Sequence, residues 1–162
     1  MRKKQKAITL VESVLYLALF GIFFVIVVQF AFTIGQQNTK SDLDNTLNRG
    51  IIFVNEHLND DFINALSVNS GLSTFGSNSG VLRLNMPASK YAQYSISSSR
   101  LQFSDNGTTY YLTPQELTVS QFLLTRINNA AGTAVGTQMT LTMSSNKYPE
   151  ITDTYSTSYI LK

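Results

Sequence analysis

The chain has no cysteine and no tryptophan, a single histidine and three prolines, and only 14% of its 162 residues are charged. Without cysteine there can be no disulfide, no thiolate metal site and no cysteine nucleophile, and the redox compartment leaves no mark. The lone histidine, His57, lies between Glu56 and Leu58 on a stretch that reads as helix, and it is expected there as a solvated side chain. The charged share falls well below the usual quarter. From Asp42 onward Ser, Thr and Asn are abundant instead, a surface suited to an extracytoplasmic or packed-fibre setting. The length allows one domain.

The formal charge of +2 comes from the extreme N-terminus. Four of the twelve basic residues are Arg2, Lys3, Lys4 and Lys6; without them eight basic residues face ten acidic ones, a net of −2. The bulk of the chain therefore has no basic excess for binding nucleic acid. Chemistry-bearing clusters are scarce as well. Asp60 and Asp61 are neighbours on a helix and point in different directions. Asp105-Asn106-Gly107 lacks the remainder of a calcium loop and reads as a turn. Ala131-Gly132-Thr133-Ala134-Val135-Gly136 has no lysine after it and is not a phosphate loop. No catalytic residue, metal or cofactor is expected, and the chain is not expected to be an enzyme.

What the chain does have is a long apolar run. From Val14 to Val28 every residue is apolar or Gly, and from Leu10 to Phe32 the only charge is Glu12. Roughly 20 helical residues cross a bilayer core, so the run is long enough. The basic residues before it are expected to stay cytoplasmic and the C-terminal bulk to lie outside. Three readings compete. A secretory signal peptide needs a small-x-small cleavage site, and Thr33 to Gly35 is a poor one. A plain single-pass anchor leaves Glu12 unexplained. A carboxylate inside an apolar helix costs about 2.5–3.5 kcal/mol on insertion scales and usually has a specific partner.

The third reading rests on Lys6-Ala7-Ile8-Thr9-Leu10-Val11-Glu12. This stretch closely resembles the prepilin signal of type IV pilins and type II secretion pseudopilins: a basic leader, a small residue, then an apolar residue, Thr, Leu, an aliphatic residue and Glu. The resemblance covers about the first thirty residues. It implies cleavage between Ala7 and Ile8 by a prepilin peptidase and N-methylation of the new Ile8 amine. It also implies an assembly role for Glu12, whose carboxylate would pair with the Ile8 amine of a neighbouring subunit and set register. The partners implied are other pilins or pseudopilins and an assembly-platform membrane protein. The location implied is the bacterial inner membrane, single-pass with the head extracytoplasmic, and then a periplasmic or extracellular filament. Ala7 stands where Gly is usual, Ile8 where Phe or Met is common, and Gln29 where many major pilins have a helix-bending Pro. That last departure and a long Ser/Asn-rich loop favour a minor subunit. The alternative is a solitary membrane-anchored extracytoplasmic binding domain that does not polymerise.

Beyond the apolar run, Leu43, Leu47, Ile51, Val54, Leu58, Phe62 and Leu66 recur at spacings of four and three, one apolar face of a helix. One long helix is predicted over roughly residues 8–67, with Gly35 to Gln37 as its weakest stretch. Ser67 to Gly80 reads as a loop. Strands are predicted at Val81–Met86, Tyr94–Ser97, Leu101–Ser104, Thr109–Leu112, Leu117–Ile127, Gln138–Ser144 and Thr154–Leu161, with a hairpin turn at Asn106-Gly107. The expected fold is α+β and pilin-like, a long N-terminal helix packed on a C-terminal antiparallel β-sheet. Its parts would be a leader over 1–7, an assembly helix over 8–33, an amphipathic continuation over 34–67 and a β head over 68–162.

Overall fold

The computed structural model describes residues 10–161. One helix, α1 (Leu10–Asn64), is followed by eight strands: β1 (Ser67–Val68), β2 (Val81–Asn85), β3 (Tyr91–Ser97), β4 (Arg100–Asp105), β5 (Thr108–Tyr111), β6 (Leu117–Asn128), β7 (Ala134–Ser145) and β8 (Thr152–Ile160). The fold is α+β, with helix packed on antiparallel sheets. The chain forms two compact units that divide after residue 41.

Residues 10–41 are helix throughout, and none of them is buried. Helical hydrogen bonding continues through Gly35, with no break at the weakest point of the sequence. Thr39 donates its hydroxyl to the Gly35 carbonyl at 3.0 Å. This segment is long and apolar enough to cross a membrane.

In the second unit the remainder of α1 buries a stripe of Leu47, Ile51, Val54, Leu58 and Phe62 against the sheets. Gly50 belongs to the same stripe. A Cβ there would lie 3.3 Å from Leu117 Cδ1, so β6 packs closely over the helix at this glycine. The helix ends at Asn64, earlier than the apolar spacing predicts. Asn64 Nδ2 caps the Asp60 carbonyl at 2.8 Å, and the Leu66 amide leaves for the Asn85 carbonyl at 2.8 Å. Leu66 is consequently exposed and is not part of the stripe.

Two sheets form where one was expected. The first has the order β1-β2-β3-β4-β5, the second β6-β7-β8, and all pairings are antiparallel. The break falls between Tyr111 and Leu117. Pro114 has no amide to give a ladder. Just before it, the buried Thr113 hydroxyl accepts the Leu101 amide at 3.1 Å, and the Arg100 guanidinium donates to the Thr113 carbonyl. These bonds anchor the crossing chain at the end of the first sheet. The two sheets and the helix share one core, including Leu82, Tyr94, Phe122, Leu124, Met139 and Leu141. The turn at Asn106-Gly107 forms as predicted, with both residues at positive φ (47° and 99°). The turn between β6 and β7 is shorter than the sequence indicates, because β7 already begins at Ala134.

Candidate functional site

Of the three residues in the prepilin-like signal, Ala7 and Ile8 lie outside the described residues. Glu12 lies at the start of α1 and is exposed, among side chains that are otherwise almost wholly apolar. Leu10, Val11, Val14, Leu15 and Tyr16 around it are each more than half exposed.

The head carries a second candidate. A cleft of about 540 Å³ opens between α1 and the hairpins of the first sheet, with His57 and Asp61 on one wall and Phe103, Asp105 and Tyr110 on another. His57 is here no solvated helix residue. Its side chain is only 22% exposed and meets the Phe103 ring at a centroid distance of 4.4 Å, with Tyr94 and Tyr110 also edge-on to it. The cause is tertiary. His57 and Asp61 sit one helical turn apart on the flank of the buried stripe, and β3, β4 and β5 bring their aromatic side chains onto that flank.

The chemistry of the groups fixes the direction of the hydrogen bonds. An ionised Asp61 only accepts, so the Tyr94 hydroxyl donates to its Oδ2 at 2.6 Å. That uses the one proton of Tyr94. His57 Nδ1, 2.7 Å from the same oxygen, is then the donor. A neutral imidazole protonated at Nδ1 leaves Nε2 as acceptor, and Tyr110 donates to it at 3.1 Å. The chain thus runs Tyr110 to His57 to Tyr94 to Asp61.

Electrostatics follow from burial. Tyr94 is wholly buried, and desolvation, together with the adjoining Asp61 carboxylate, raises its pKa far above the ordinary phenol value. Desolvation also raises Asp61. The Tyr94 hydrogen bond and His57 oppose the shift, while the charges of Asp105 and Asp60 add to it. Asp60 and Asp61 do diverge: Asp60 is exposed, and Asp61 turns inward to Tyr94. Asp61 Oδ1 has no protein donor among the described residues. Asp61 lines the cleft. Among the described residues no three His, Cys, Asp or Glu side chains converge to hold a metal ion.

Sequence reasoning singled out Glu12 and missed this cleft. The sequence signals were faint: a histidine and an aspartate four apart beside an apolar stripe, and tyrosines on short strands. Comparison with family models, curated proteins and solved structures finds no match to this chain.

Proposed function

We propose that this chain is a structural subunit, a minor pilin or pseudopilin, of a type IV pilus, type II secretion or DNA-uptake filament. The observation that carries the reading is the first half of α1. It is a continuous helix, apolar and unburied, whose single charge from Leu10 to Phe32 is Glu12. Apolar surface on this scale needs a cover, either lipid or the same segment of other subunits. In the membrane the helix would be an anchor. In a filament it would be the core, formed by lateral packing of equivalent helices.

Glu12 gives the packing a register. After cleavage between Ala7 and Ile8, the new Ile8 ammonium and the Glu12 carboxylate would each be costly in an apolar surrounding. Paired between adjacent subunits they neutralise one another, and breaking the pair by removing one partner is expensive.

Mass spectrometry of the protein from cells with a prepilin peptidase tests the reading. The expected N-terminus is a methylated Ile8, with residues 1–7 gone. An intact leader in such cells would leave the non-polymerising anchored domain as the better account.

A further inference from the structure

We propose that Asn106 is a site of spontaneous covalent modification, converted through a succinimide to aspartate and isoaspartate. The folded turn restrains the reaction, and its isoaspartate product frees β5 from the head. The proposal stands independently of the filament reading.

The reacting groups are neighbours in the chain. The Gly107 backbone nitrogen gives up its proton to solvent base and attacks the Asn106 carboxamide carbon, Cγ. A C–N bond forms, the side-chain nitrogen leaves as ammonia, and a five-membered succinimide remains. Water then opens the ring. Attack at Cγ gives aspartate, and attack at the main-chain carbonyl carbon gives isoaspartate, with the backbone running through the side chain. The sum is one water taken up and one ammonia lost. Glycine hinders the attack least, since it has no Cβ. Asn106-Gly107 is the one Asn-Gly pair in the chain. Both residues are exposed, and a Cβ built on Gly107 would have only the Tyr91 hydroxyl within 4 Å, at 3.8 Å. Among the described residues no hydrogen bond holds the Asn106 carboxamide. Asn69 and Asn78, which precede serines, are held. Asn69 donates to Asn85 at 3.1 Å and accepts the Leu72 amide at 3.2 Å, and Asn78 Oδ1 accepts from Gln121 at 2.9 Å.

The turn is the brake. A succinimide ring closes only when the Gly107 nitrogen lies on the same side of the Asn106 Cα–C bond as Cβ. With φ at 47° and 99°, Asn106 and Gly107 form the mirror-image type I turn. Its first residue has ψ of about +30°, which puts the nitrogen nearly opposite Cβ. The Asn106 amide donates to the Tyr91 carbonyl at 3.0 Å, and Asp105 pairs with Thr108 across the turn, so the conformation is held from both sides. Ring closure therefore waits for β4 and β5 to part at their tip.

The product has a structural consequence. β5 is an edge strand whose four residues are all exposed, paired in its sheet with β4. Its Tyr110 meets the Phe103 ring at a centroid distance of 5.1 Å and His57 Nε2 at 3.1 Å. Isoaspartate adds one backbone carbon inside a two-residue turn, and the turn that sets the β4–β5 register is lost. It also puts a carboxylate beside Asp105, whose charge already acts on Asp61. Both changes loosen Tyr110 from His57.

The full chain in detergent micelles is incubated at mildly alkaline pH beside the same chain unfolded in urea, and peptide mapping follows Asn69, Asn78 and Asn106. Asn106 should convert in both, ahead of the other two, and more slowly when folded. Tyr110→Ala should speed conversion of the folded chain about two- to tenfold, the worth of the aromatic pair it removes. The imidazole resonances of the single histidine read the second half of the proposal. They should move in the isolated isoaspartate form and much less in Asn106→Asp, since Asp-Gly suits the same turn. Survival of Asn106 beyond Asn69 and Asn78 would overturn the site. Equal rates folded and unfolded, or no acceleration in Tyr110→Ala, would overturn the brake. Unmoved His57 resonances in the isoaspartate form would overturn the release of β5.

Discussion

The Tyr94 hydroxyl lies 2.6 Å from Asp61 Oδ2, and this one contact determines the proton positions on His57 and Tyr110. The phenol is fully buried, so its oxygen can satisfy itself only within this chain.

Tyr94→Phe keeps the ring and removes the link. It leaves His57 Nδ1–H without its acceptor and Asp61 without its donor. An orphaned group in a buried setting costs about 1–3 kcal/mol. Chemical denaturation followed by near-ultraviolet circular dichroism should show a loss in that range. Tyr110→Phe, at a half-exposed position where water can replace the hydroxyl, should lose much less.

Stability should depend on pH through Asp61. Its folded-state pKa is raised, chiefly by burial, above the ordinary 3.8. The neutral form is thus favoured by the fold. The contribution is fully present below the unfolded value and is lost as pH rises through the folded one. Relative to Asp61→Asn, which does not titrate, the natural chain should lose ground as pH rises from below 3.8 toward neutrality. Denaturation midpoints of both proteins across that window would show it. Parallel pH curves would mean that Asp61 is not perturbed.

Two glycine substitutions should differ sharply. Gly50→Ala gains about 1 kcal/mol of helix propensity, and its new methyl meets the flexible ends of Leu117 at 3.3 Å and Met143 at 3.5 Å. The two effects oppose, so the midpoint should move little. At Gly136 a Cβ would overlap the Tyr159 carbonyl oxygen, which is backbone and cannot swing away. Overpacking of this kind costs about 1–3 kcal/mol or more, and here it separates β7 from β8. Thermal unfolding of the two variants gives the comparison.

Glu12→Ala removes the one charge from the apolar run. Membrane insertion should be as good as in the natural chain or better, by about 2.5–3.5 kcal/mol at most on insertion scales. Filament assembly should fail. Carbonate extraction reads the first and filament shearing the second. Normal assembly of this variant would remove the register role from Glu12.

The parts of this fold legible in the sequence are those governed by local rules. Leu47, Ile51, Val54, Leu58 and Phe62 announce a helix face by spacing alone. Asn106-Gly107 announces a hairpin because few other pairs tolerate two positive φ angles. The illegible parts depend on distant partners. His57 takes its hydrogen bonds from tyrosines 37 and 53 residues away, and nothing near it in sequence predicts either. The split into two sheets depends on where Thr113 finds the Leu101 amide, a tertiary contact. Glu12 was legible for the opposite reason: it contradicts its surroundings, and a contradiction needs no partner in view to be noticed.

In both sheets the spatial order of the strands is also their order along the chain. Each strand after the first in its sheet therefore pairs with the strand immediately before it, across a short connection everywhere but between β1 and β2, where residues 69–80 intervene. Closing such a loop costs little entropy, so the two sheets should each zip progressively from one end rather than wait for remote segments to meet. The slow step is left to docking. The Leu47-to-Phe62 stripe can bury itself only after strands far downstream have formed. A pause between fast strand pairing and slower closure of the core on the helix is the kinetic signature this order would leave.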